Sequence, residues 1–217
     1  MKNILVGLLL LFMATSCNET LKTTTPISKM DKLLLGNQRF LNNQTLHPRQ
    51  NKKAILATEN SQHPFAVVIT CADSRVSPEI IFDQGIGDLF VIRNAGNLMS
   101  DYAMGSVEYA VEHLQTKLII VLGHTECGAI KAYVESVNSE NTNMKHDHIE
   151  TIINTIKNEE EEKQISNPSK NNIEECIKAN IKHSANKIVM NEFINQKKIE
   201  VVSMIYDIHS GKVNRID

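Results

Sequence analysis

The sequence predicts an α/β fold: a mostly parallel central sheet flanked by helices, with an N-terminal helical arm and a C-terminal edge hairpin. Three observations carry this expectation. Apolar runs rich in β-branched residues recur at 64–70, 88–93 and 117–123, as suits strands buried on both faces. Stretches with apolar residues at helical spacing lie between or after them, and strands separated by helices pair in parallel through right-handed crossovers. The 217 residues are 41% hydrophobic and 22% charged, enough apolar material for one sizeable core, which excludes disorder of the whole chain. Lys and Arg number 23 against 25 Asp and Glu, so no basic excess exists for a nucleic acid partner.

Residues 1–16 read as a secretory signal, with Lys2 as the positive start, an apolar stretch over 4–12 and small residues at Ala14-Thr15-Ser16. This stretch is too short to span a bilayer. Cys17, directly after it, resembles the acylated cysteine of bacterial lipoproteins; simple secretion with an incidental Cys17 is the alternative. Acylation would make the protein exported, periplasmic or at the cell envelope, touching the membrane only through its lipid. Residues 17–27, Thr-rich and closed by Pro26, read as a flexible spacer, and 28–217 as the folded domain.

Ser28 and Asp31 approximate a capping box, and Met30, Leu33, Leu34, Phe40 and Leu41 extend an apolar stripe along a first helix. A short helix is expected over 52–59, the first strand over 64–70, the second over 88–93, a helix over 100–114 and the third strand over 117–123. A helix then runs from Gly128 through Val137. After a polar stretch comes a helical run containing Glu159-Glu160-Glu161-Glu162, read as a solvated face. A long amphipathic helix is expected over 173–194, and 199–206 and 212–216 flank His209-Ser210-Gly211 as strand, turn and strand.

Ligands of open parallel sheets collect beyond the carboxyl ends of the strands. Cys71-Ala72-Asp73-Ser74-Arg75 follows the first strand and His124-Thr125-Glu126-Cys127 closes the third. Taken singly, Cys71 and Cys127 read as inert core thiols. Their joint placement with His124 instead suits Zn²⁺, which accepts sulfur and nitrogen and keeps a fourth position open when three protein ligands bind it. Cys176 reads as buried filler. Asp73, two residues past Cys71, can face the metal's open position, and Arg75 can hold it ionised and aimed; a turn-stabilising ion pair is the simpler reading of the same two residues. His146 and His148 lie in a polar stretch and read as solvent-exposed, His47 as a loop residue.

Those motifs, with Arg93-Asn94-Ala95-Gly96-Asn97 and Ser106-Val107-Glu108-Tyr109-Ala110-Val111, give a sequence that resembles the β-class carbonic anhydrases. The resemblance runs from about Asp31 to Val213. It implies Cys71, His124 and Cys127 as zinc ligands, and Asp73 and Arg75 as a catalytic dyad in which Asp73 can also take the fourth zinc position. It implies Gln62 as a donor to substrate oxygen, and Phe90, Ala95 and Tyr109 as walls of a small apolar pocket partly supplied by a neighbouring subunit. The implied partners are CO₂ and bicarbonate, in a homodimer or higher even oligomer. The implied activity is reversible hydration of CO₂ to bicarbonate and a proton through a zinc-bound hydroxide, a carbonate dehydratase. Certain members of the family hold inhibitory bicarbonate with a Trp and an Arg matching Arg93, but this sequence has no Trp. Hydrolysis of carbonyl sulfide or carbon disulfide on the same site, or a non-catalytic zinc-stabilised binding module, are the alternatives. His63, beside Gln62, could border the pocket.

Overall fold

The computed structural model describes residues 27–139 and 147–216. The signal, the spacer and Cys17 lie outside them, as does His146. A five-stranded sheet in the order β2-β1-β3-β4-β5 organises the chain. Its strands are β1 (Ala66–Cys71), β2 (Leu89–Asn94), β3 (Leu118–His124), β4 (Glu200–Tyr206) and β5 (Val213–Arg215). All neighbours pair in parallel except β4 and β5, the expected antiparallel edge hairpin.

Alternation divides the two inner strands between two cores. Val67, Ile69 and Cys71 of β1 join Ile119 and Val121 of β3 on one face. Ala66 and Val68 join Leu118, Ile120 and Leu122 on the other. Each such buried Val, Ile or Leu contributes about 1.5–3 kcal/mol, so a one-residue slip in register would exchange both cores at once. β2 differs from the sequence expectation. It is an edge strand with half-buried side chains, because only β1 covers it.

Helix α1 (Lys29–Leu41) starts at Ser28, whose Oγ accepts from Asp31 N and donates to the Asp31 carboxylate. It lays Met30 and Leu33 on one sheet face, and its Asn37 amide accepts from Val213 N and donates to Gly211 O, fastening the hairpin. α2 (Lys52–Thr58) and α3 (Pro78–Ile81) flank β1 in the chain. The opposite face is covered by α4 (Asp101–Glu112), α5 (Gly128–Asn138), α6 (Asp147–Lys157) and α7 (Ile173–Met190), followed by the short α8 (Glu192–Asn195).

Two sequence expectations are corrected here. The helix expected over 173–194 breaks at Asn191, whose extended backbone ends α7 and whose side chain accepts from Ile194 N to start α8. The acidic run is not a solvated face: α6 stops at Lys157, and the irregular segment after it turns Glu159 and Glu162 inward to 2% and 1% exposure. Only Glu160 of the four is exposed. No helix among the described residues is long and apolar enough to cross a membrane.

Candidate metal centre

Cys71 is the last residue of β1 and His124 the last of β3, and these strands are hydrogen-bonded neighbours. Their side chains therefore emerge together at the carboxyl edge of the sheet. Three residues after His124, Cys127 forms the N-cap of α5. Between them Glu126 takes a left-handed φ of 60°, a conformation uncommon outside glycine that reverses the chain. The two Sγ atoms and an imidazole nitrogen consequently lie within 4.8 Å of one another, all on buried residues.

The loop is held from outside. Thr125 N donates to Tyr206 O, Ile208 N donates to Thr125 Oγ1, and Thr125 Oγ1 donates to Asp207 Oδ1 at 3.3 Å, so the start of the β4–β5 turn buttresses the donors. Glu126 pairs with Lys131 one turn into α5.

The His124 ring reveals what the cluster lacks. Nδ1 lies 2.8 Å from Thr125 O, and since a carbonyl can only accept, Nδ1 is the protonated nitrogen. Nε2 then carries a lone pair, buried and without a hydrogen-bond partner. Such an orphan costs about 1–3 kcal/mol in an apolar interior. A carbonyl that fixes one ring nitrogen while the other faces two sulfurs is the arrangement of a metal-ligating histidine. The neighbouring Cys127 sulfur draws the Cys71 thiol below its ordinary range, whereas the Cys71 sulfur and burial push the Cys127 thiol above it. Gly96 N–H at 3.4 Å from Cys71 Sγ adds to the first effect. Backbone N–H groups at the start of α5 favour the Cys127 thiolate. Two sulfurs and one open nitrogen fit Zn²⁺ by donor chemistry.

Asp73 sits beside this cluster with Oδ2 3.9 Å from His124 Nε2. Arg75 holds it with three donors: N to Oδ1 at 2.9 Å, Nε to Oδ1 at 2.9 Å and one terminal nitrogen to Oδ2 at 2.7 Å. That guanidinium keeps the Asp73 carboxyl well below the usual carboxylate range. Sequence reasoning missed the part played by Arg93. Its guanidinium donates to Cys71 O and Asp73 O, at 3.3 and 2.9 Å, and so fixes the backbone that carries the first sulfur and the carboxylate. The signal available was its place at the head of the Arg93-Asn94-Ala95-Gly96-Asn97 motif.

The expected pocket walls are not all gathered here. Ala95 adjoins Gly96 and thus the cluster. Phe90 lies in the first half of β2, its ring 6.2 Å from that of Tyr109, which in turn stands 5.0 Å from His113. Tyr109 is 46% exposed along the β2 edge of the sheet. Gln62 and His63 are exposed in the segment before β1, separated from Cys71 by the strand's length of about 20 Å. A pocket of about 350 Å³ lined by Glu126, Lys131, Glu135 and Lys170 lies beside the ligand loop and includes none of the three donors. His148 is exposed, and His47 is exposed with its ring near Thr45 Oγ1.

Fold and site define a class: a parallel-sheet α/β protein with a Cys-His-Cys donor cluster at the strand ends. The sequence signature of the carbonic anhydrase family matches residues 66–213, and the chain belongs to that family, in its beta class. It is 45% identical over 115 residues to a carbonic anhydrase of Mycolicibacterium smegmatis, a match covering 53% of this chain and 56% of the relative. The chain therefore spans about half the length of that relative. Among solved structures it resembles the beta-carbonic anhydrase CcaA, with a TM-score of 0.66, 26% identity and coverage of 88% of this chain and 96% of that one. A Coccomyxa beta-carbonic anhydrase in complex with acetazolamide superposes with a TM-score of 0.64 at 25% identity, covering 87% and 86%.

Proposed function

We propose that this chain is a zinc-dependent carbonic anhydrase catalysing the reversible hydration of CO₂. One observation carries the reading. The buried, unpartnered Nε2 of His124 faces two sulfurs, with an Arg-fixed carboxylate 3.9 Å away. Cys71, His124 and Cys127 would hold the ion, which when bound supplies the Lewis acidity that makes water a nucleophile near neutral pH.

The remaining work falls to protein groups. Asp73, ionised by its pairing with Arg75, is an acceptor that orients a water proton beside Nε2. Arg75 prevents the carboxylate from turning away. Arg93 fixes the strand end from which Asp73 projects. Burial around the cysteines excludes bulk solvent, which suits a small apolar substrate needing few donors.

Gln62, Phe90 and Tyr109 stand away from their own protomer's donors, so we place them as the walls and substrate donor of a second copy's site in a homo-oligomer. Exposed apolar side chains at Leu46, Ile55, Leu56, Ile80 and Tyr109 provide surface for such an assembly. Export and lipid anchoring through Cys17 belong to the same proposal. Mass spectrometry of the N-terminal peptide from membranes tests them, an unmodified Cys17 being the opposing result.

The decisive experiment is stopped-flow CO₂ hydration with zinc-loaded protein. Acceleration removed by Asp73→Asn supports the assignment. A fully zinc-loaded oligomer with no acceleration removes it.

A further inference from the structure

Helix α7 touches the metal centre without contributing a ligand. Three of its side chains, spaced four and three residues apart and so on one helical face, donate to three nearby carbonyls of a single segment. Asn180 Nδ2 donates to Gly96 O at 2.8 Å, Ser184 Oγ to Asn97 O at 3.0 Å, and Lys187 Nζ to Met99 O at 2.7 Å. Asn180 and Ser184 are buried to 1% and 0% exposure. Gly96, whose carbonyl Asn180 holds, is also the residue whose N–H lies 3.4 Å from Cys71 Sγ.

The same helix also fixes the other strand end. A side chain on Gly123, immediately before His124, would meet Ile181 of α7 at 2.4 Å, so the helix lies hard against β3 there. Gly96 itself has a φ of +73°, and a Cβ on it would stand 3.0 Å from that of Ala129 in α5. The 95–97 turn is thus packed between α5 and α7. Packing alone does not explain Asn180. Its Oδ1 is buried without a partner, a cost that an apolar residue of similar size would avoid, so its retained donor is the feature that needs a reason.

We propose that the α7 stripe of Asn180, Ser184 and Lys187 is a positioning device for the metal centre, holding the 95–97 turn so that the Gly96 N–H stays directed at Cys71 Sγ. A hydrogen bond to a ligating thiolate withdraws charge from the sulfur, and outer-shell donors of this kind tune the metal they never touch. With two sulfurs on the ion, such a donor offsets part of the charge they add. The inference rests on the zinc reading for the presence of an ion, but not on the reaction assigned to it.

Cobalt(II) in place of zinc gives the test, since its sulfur-to-metal charge-transfer band reports the charge on the thiolates independently of turnover. In Asn180→Leu the freed turn leaves Cys71 more electron-rich, and the band shifts to longer wavelength at unchanged cobalt stoichiometry. Ser184→Ala, a smaller change that preserves the fold if Asn180→Leu does not, gives a smaller shift in the same direction. Ile188→Ala, on the same helix but outside the stripe, loosens the core and leaves the band in place. Unmoved bands in both stripe variants, or an equal shift in Ile188→Ala, overturn the proposal. A parent protein that takes up no cobalt overturns it together with the metal centre. A parent that shows the band yet fails to hydrate CO₂ sinks only the assigned reaction, and the band positions still decide the role of the stripe.

Discussion

Asp73 and Arg75 form a two-point ion pair in which both carboxylate oxygens are engaged, one of them 3.9 Å from the orphan nitrogen of His124. The pairing decides protonation as well as orientation. Because the Asp73 pKa is depressed, its contribution to stability is present above the unfolded carboxylate value of 3.8 and lost only as pH falls through the lower folded value. Asp73 is therefore ionised throughout the neutral and alkaline range and adds no limb there. Replacing it with Asn should leave zinc at parental stoichiometry and lower kcat for hydration by about a hundredfold or more, the usual scale for a lost acid–base group. Parental turnover in that variant removes Asp73 from the reaction.

The pH profile should rise toward alkaline conditions for a different reason. In the proposed site two thiolates would cancel the charge of Zn²⁺, so a water held there would give up its proton less readily than beside three neutral imidazoles, where its pKa is about 7. Stopped-flow measurements from pH 6 to 9 test this. A flat profile contradicts the account of charge.

Loss of a sulfur should remove the ion outright. Cys127→Ser leaves one thiolate and one imidazole, too few soft donors for tight zinc binding. Elemental analysis should find the metal content collapsing in this variant and in Cys71→Ser, with hydration lost in parallel. Full zinc occupancy in either would place the ion elsewhere.

The strands and the donors were legible in the sequence because each follows a local rule. A charge-free run at 64–70 has nowhere to go but the interior, and residues at the end of such a run reach the edge of a parallel sheet. The Glu159–Glu162 run misled because charge patterning assumes that ionised groups stay in water, whereas two of these carboxyls are held inside by the contacts of α6 and α7. Edge position was equally invisible for β2: its run resembles that of β1, and only the strand order exposes one side of it. The grip of α7 on the 95–97 turn joins residues more than 80 apart, which no local periodicity encodes.

Gln62 offers a test of assembly. If each site joins Asp73 of one protomer to Gln62 of another, then Gln62→Ala and Asp73→Asn homo-oligomers should both be impaired. Co-refolding the two should restore activity, because a mixed dimer contains one site with both native residues. Random pairing gives about a quarter of the parental activity. A mixture no more active than the average of its parents places Gln62 outside the shared site.

The buried carboxyls predict a pH-dependent cost to the fold. Glu162 is 1% exposed, with both oxygens unpartnered, and burial raises its pKa from 4.5 to about 8; Glu159, also raised first by burial and then by Glu162, reaches about 9. Below pH 4.5 both are protonated whether the chain is folded or not, and the fold loses nothing. Above it the unfolded chain releases protons that the fold retains, so stability falls with pH, by up to about 1.4 kcal/mol per unit for each group, until the folded pKa is passed. Glu162→Gln keeps the shape of the protonated acid and removes the Glu162 share of that slope. Thermal melts should therefore show the variant close to the parent at pH 4.5 and several degrees more stable at pH 8, at roughly 2–4 °C per kcal/mol for a chain of this size. A difference in Tm that is the same at both pH values would mean that Glu162 is solvated and ionised in the folded protein.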